Sequence, residues 1–111
     1  MSGRLVGEVL DHAPNDLTPA ELLVLVALAN DARDHDRISR YKSSVDVLAY
    51  RTRLSPGGVR NVLSKLVTRG LIRPLLGNVH RGGKHQEYEL AKLSQNHRFA
   101  TINGHERVTT R

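Results

Sequence analysis

Arg60 and Asn61 stand side by side in a segment that opens Ser55-Pro56-Gly57-Gly58. Their side chains are the two best suited to reading a base edge, because a guanidinium pairs bidentately with guanine and a carboxamide with adenine. Pro56, Gly57 and Gly58 are compact, so the start of this segment could enter a groove closely, and Ser64 adds a hydrogen-bonding group on the same side. Two glycines in a first helical turn point the same way: each costs up to ~1 kcal/mol against alanine in a helix interior, which suggests that bulk is excluded there. Around this helix Ser55, Lys65 and Arg69 are suited to phosphate. So are Arg51, Thr52 and Arg53 just before it, and Arg37, Arg40 and Lys42 further upstream. Such contacts fix register without reading sequence. A last group, His80-Arg81-Gly82-Gly83-Lys84-His85, is basic and glycine-rich. Arg81 and Lys84 could follow a phosphate backbone or enter the electronegative minor groove of an A·T tract.

Other chemistry is poorly supplied. The chain has no cysteine, which excludes disulfides, thiolate zinc sites and a thiol nucleophile. His80 and His85 lie in a glycine loop without nearby carboxylates, so no metal is expected. Asp31, Asp34 and Asp36 read as solvated charges at a helix end, and no phosphate-cradling glycine loop follows a strand. Neither an enzyme nor a cofactor is expected. Three tyrosines and one phenylalanine are too few and too dispersed for a single-strand stacking platform, so duplex DNA is the preferred nucleic acid.

Charge distribution sharpens this expectation. Residues 1–36 carry two basic against seven acidic side chains, residues 37–85 eleven against one, and residues 86–111 four against three, within a formal total of +6. Positive charge confined to the middle of a chain is a field that draws in phosphate. At 111 residues with 39% apolar content, the chain supports one small domain with one core. The longest apolar run, Leu22 to Ala29, is far short of a membrane span, and no basic-then-apolar signal opens the chain, so a soluble cytoplasmic protein is expected.

The elements that must position these residues can be read from periodicity and caps. Leu5, Val6, Val9 and Leu10 recur at helical spacing over residues 3–12. Thr18, Pro19 and Glu21 form a helix start with a capping box, and Leu17 with Leu22 a hydrophobic staple, opening a helix over 18–34 that is apolar almost all round. Residues 35–42 read as a loop. A helix over 43–52 begins at Ser43 as N-cap, with Asp46 in its first turn. After a turn at Thr52, Arg53 and Leu54, Ser55 and Pro56 start a helix over 55–69. Its residues Val59, Val62, Leu63, Leu66 and Val67 share one arc, and Gly70 ends it in a left-handed cap. Strands over 71–76 and 85–91 make a hairpin whose long tip is the basic glycine loop, with Pro74 excluding a central position for the first strand. Residues 1–93 are the expected domain, and residues 94–111 a flexible tail or short second hairpin.

The stretch Leu48-Ala49-Tyr50-Arg51-Thr52-Arg53-Leu54-Ser55, followed by Val59, Val62, Leu66, Gly70, Leu71 and Ile72, resembles the winged helix-turn-helix family of bacterial DNA-binding proteins from about Thr18 to Leu90. Arg53 departs from the pattern, because a glycine is commonest at that turn position. GntR-like and MarR-like regulators and the initiator domains of plasmid and phage replication proteins share these features. The resemblance implies a mainly α fold with a small β-hairpin wing, and a helix over 55–69 that reads DNA. The expected function is sequence-specific binding of double-stranded DNA by a transcriptional regulator. The alternatives are a plasmid or phage replication or maintenance factor at origin repeats, and a winged-helix protein-interaction module. One such module buries only ~600–1,000 Å² on DNA, so a homodimer on two half-sites is expected, joined through residues 1–34 or the tail. No small-molecule effector can be named.

Overall fold

The computed structural model describes residues 3–75 and 86–100. Residues 76–85, which hold the basic glycine-rich segment expected at the hairpin tip, and the end of the chain from residue 101 lie outside the described residues. Four helices, α1 (Gly3–His12), α2 (Pro19–Asp31), α3 (Val45–Thr52) and α4 (Pro56–Thr68), pack with strands β1 (Ile38–Ser39), β2 (Ile72–Leu75) and β3 (Glu87–Leu90). The result is an α+β fold, mainly helical, with a small antiparallel sheet in the order β1-β3-β2. No helix among the described residues is long and apolar enough to cross a membrane.

The helix starts form as their caps require. Thr18 Oγ1 accepts the Glu21 amide at 3.1 Å while Glu21 Oε1 accepts the Thr18 amide at 3.0 Å, and Pro19 occupies the first turn. The apolar run of α2 supplies Val24, Leu25, Leu28 and Ala29, all fully buried. Against them pack Leu5 and Val9 of α1, Leu48 of α3, Val59 and Leu66 of α4, and Leu71, Ile72 and Leu90 from the sheet. α2 is therefore the centre of the core, and it ends at Asp31, three residues earlier than the periodicity suggests.

Residues 35–42, expected as a loop, contain a short edge strand. Ile38 and Ser39 pair with Glu89 and Tyr88 of β3. The Asp31 carboxylate organises the approach, accepting the Ser39 hydroxyl at 2.7 Å and the amides of Tyr41 and Lys42 at 3.0 and 2.8 Å. Asp36 accepts the Ile38 amide at 3.0 Å. These two carboxylates, expected to be merely solvated, are structural. The N-cap of α3 also differs from expectation. Ser44 Oγ accepts the Val47 amide, whereas the buried Ser43 donates its hydroxyl to Gln86 O at 2.7 Å and so fastens the start of α3 to the residue before β3.

A 3₁₀ turn over Leu93–Gln95 brings the chain back so that the Phe99 amide donates to Gly70 O at 2.8 Å, with the Arg73 guanidinium 4.6 Å from the Phe99 ring centre. Gly70, at φ 74, takes the left-handed conformation expected of it, and a Cβ there would sit 2.5 Å from Phe99 O. Left-handed backbone alone costs a non-glycine residue ~1–2 kcal/mol, and the clash is with backbone that cannot swing aside. Gly70→Ala is therefore expected to destabilise the chain by about 2 kcal/mol in urea unfolding. An alanine variant as stable as the parent would mean that the Phe99 segment is not held against Gly70.

Candidate nucleic-acid interface

α4 is built so that one arc holds the fold and the other faces out. Ser55 caps it, its Oγ accepting the Gly58 amide at 3.0 Å, and Pro56 opens the first turn. Val59, Val62, Leu63 and Leu66 are buried. With 3.6 residues per turn, the opposite arc is centred on Gly57, Asn61 and Ser64, with Arg60 on one flank and Lys65 on the other. All five are exposed. The side chains of Arg60, Asn61, Ser64 and Lys65 have no partner among the described residues. A Cβ at Gly57 would meet nothing within 4 Å, whereas one at Gly58 would lie 3.2 Å from the capping Ser55 Oγ. The fold gives a reason for a small residue at Gly58 and none at Gly57.

Arg60 and Ser64 also border an open cleft of about 320 Å³ between α4 and the hairpin, with Val45, Pro74, Gln86 and Tyr88 on its other walls. Pro74 and Tyr88 face each other across β2 and β3, and the Gln86 side-chain amide donates to Leu75 O at 2.9 Å. Burial pushes the Tyr88 hydroxyl pKa up, so this wall stays neutral. None of these three residues is a sequence-level candidate. The alternation Gln86-Glu87-Tyr88-Glu89-Leu90 marks a strand, but only the pairing with β2 sets which side faces α4.

The expected phosphate contacts divide into exposed and engaged groups. Arg53, in the turn between α3 and α4, is left-handed at φ 67 and ψ 20, the conformation that makes glycine common there. Its Nη1 donates to Tyr50 O at 2.7 Å and its guanidinium lies 5.4 Å from the Tyr50 ring centre. Arg51 donates to Asn30 Oδ1 at 2.9 Å, and both it and Lys42 remain exposed. Arg40 pairs with Asp36 at 3.0 Å, an interaction that raises its already high pKa. Arg69 pairs with Asp16 at 2.6 Å, and its hydrogen bond lowers the Asp16 carboxyl pKa.

Two candidates lie away from any such surface. Thr52 is buried and its hydroxyl donates to Leu48 O at 2.7 Å. Arg37 is held by Glu8 and by the carbonyls of Leu90 and Ala91, where it joins elements instead of facing solvent. The wing group His80, Arg81, Gly82, Gly83, Lys84 and His85 lies outside the described residues. Among the described residues no three His, Asp or Glu side chains converge to hold a metal ion. Comparisons with family models, curated proteins and solved structures find no match to this chain, so the reading of the site rests on its own chemistry.

Proposed function

We propose that this chain is a winged helix-turn-helix module that binds duplex DNA at a defined site and acts as a transcriptional regulator. The observation that carries the proposal is the outer arc of α4. There an arginine, an asparagine, a serine and a lysine stand exposed and, among the described residues, without partners, while Glu8, Asp16, Asp31 and Asp36 are engaged elsewhere in the fold. Exposed hydrogen-bond donors on a convex helix are what a major groove requires. Gly57 supports the same reading, since its missing side chain serves no packing inside the fold. Arg60 and Asn61 are the base readers, Lys65 on the flank and Arg51, Arg53 and Lys42 nearby the phosphate contacts, and the hairpin carries the wing.

Selection of bound duplexes from a random pool tests this directly. A recovered motif together with affinity that falls steeply with salt is the expected result. Recovery of no motif, with binding indifferent to salt, would overturn it and favour a protein-interaction module. A motif at promoters identifies a regulator, and one repeated at an origin identifies a replication factor. Each neutralised phosphate contributes about −0.9 to the slope of log affinity against log salt. Replacing Arg81 and Lys84 together by alanine is accordingly expected to flatten that slope by up to about 1.8 and to weaken all duplexes alike. A changed base preference with an unchanged slope would make the wing a reader of sequence.

A further inference from the structure

α1 buries Leu5 and Val9 and turns its other side outward. At helical spacing that side carries Gly3, Val6, Gly7 and Leu10, and Leu10 is 60% exposed. A Cβ at Gly3 or Gly7 would meet nothing within 4 Å. The fold therefore gains nothing from either glycine, although glycine inside a helix weakens it. Val6 continues this stripe into an open groove of about 250 Å³ shared with Leu23, Val26 and Ala27 of α2 and lined also by the polar set Asn30, Arg51 and Thr52; Leu23 is 44% exposed.

The charges beside the stripe are equally unexplained among the described residues. Arg4 and Asp11 lie two turns apart on its flank, and neither has a partner among the described residues. Each also sits at the wrong end of its own helix, a cation at the positive N-terminus and an anion at the negative C-terminus.

We propose that this face is where two copies of the chain meet, with α1 crossing its symmetry mate antiparallel about a two-fold axis beside Gly7. That crossing sets Arg4 of each copy against Asp11 of the other and brings both charges to helix ends of favourable sign. The glycines let the backbones approach, and Leu10 of each copy seats between Gly3 and Gly7 of its mate, beside Val6. A uniformly acidic or basic partner would match only one of the two charges, whereas a second copy matches both. At ten residues α1 is only ~15 Å long. A standard interface of about 800 Å² per partner therefore needs Leu23 and Val26 as well, and association is weak and concentration-dependent. α2 lies between α1 and α4, which share no contact, so pairing leaves the outer arc of α4 free.

Sedimentation velocity of the full chain without DNA tests the pairing. The mass is expected to rise from 12.4 kDa toward twice that with concentration. Gly7→Gln, which favours the helix and whose Cβ meets nothing within 4 Å, is expected to weaken association at least ten-fold while the melting temperature of the monomer holds or rises. Arg4→Asp alone is expected to weaken it similarly, and the exchange Arg4→Asp with Asp11→Arg to restore it, because swapping both signs keeps the match. A parent chain that stays monomeric at millimolar concentration would overturn the proposal. So would a Gly7→Gln variant that associates like the parent, or an exchange no better than Arg4→Asp. Because no DNA is present, failure here leaves the reading of α4 untouched, and failure of DNA binding leaves this pairing standing.

Discussion

Arg37→Ala is expected to lower stability by about 3 kcal/mol, because removing one partner of a largely buried ion pair strands the other charge. Only 14% of the Arg37 side chain and 13% of the Glu8 side chain are exposed. Arg37 Nε donates to Leu90 O at 3.1 Å and Nη2 to Ala91 O at 2.7 Å, while Glu8 also accepts the Leu93 amide at 2.8 Å. One pair thus ties α1 to the end of β3 and to the turn that follows. Exposed pairs such as Arg69 with Asp16 contribute only a fraction of this. A loss below about 0.5 kcal/mol in denaturant unfolding would place Arg37 with Glu8 in that weaker class.

The same variant has a pH signature. Burial by itself would raise the Glu8 pKa, but the Arg37 hydrogen bond and charge, with the Leu93 and Ser94 amides, outweigh it and hold the carboxyl below its ordinary 4.5. A carboxyl depressed in the folded state contributes in full above its unfolded pKa, and that contribution is lost as pH falls through the folded value. Without Arg37 the burial effect is less opposed, so acid unfolding of Arg37→Ala is expected at higher pH than in the parent. Circular dichroism during acid titration measures the midpoint. Identical midpoints would mean that Glu8 is not held ionised by Arg37.

Much of the fold was legible because its signals are local. Thr18-Pro19 with Glu21, Ser55-Pro56 and Gly70 each specify a helix end through groups within a few residues, and the apolar arc of α4 implies which of its side chains face out. What was not legible depends on partners far along the chain. Ser43 and Ser44 offer the same cap locally, and the hydrogen bond to Gln86 O decides between them. β1 has two residues and no apolar alternation. It exists because β3 and the Asp31 carboxylate receive it. The tail anchors through a backbone bond from Phe99 to Gly70, which composition does not express. For the site, Arg37 looks like any other arginine of the basic middle until the fold brings Glu8 to it from 29 residues away. Exposure of Arg60 and Asn61 follows from the 3.6-residue period alone.

The second large effect is expected at those two residues. A bidentate contact separates the right base from the wrong one by ~1–3 kcal/mol, so Arg60→Ala and Asn61→Ala should each relax preference at one or two base pairs by about 5- to 150-fold. Both side chains are exposed and without partners among the described residues, so melting temperatures should stay close to the parent value. Gly57→Leu provides the converse. Nothing within 4 Å obstructs a Cβ there, and leucine in place of glycine stabilises a helix by roughly 0.5–1 kcal/mol, so the variant should melt higher. It should nevertheless bind its selected site more weakly, since the new side chain holds the start of α4 out of the groove. Gly58→Leu is the less informative substitution, because its Cβ crowds the Ser55 cap 3.2 Å away and mixes a folding cost into the binding loss. Stability and affinity moving in opposite directions at Gly57 cannot arise from unfolding, which would lower both. Competition against scrambled duplex, alongside thermal melts, separates the two quantities. If Gly57→Leu keeps the parent's affinity, or if the alanine variants keep its full base preference, the outer arc of α4 is not the reading surface.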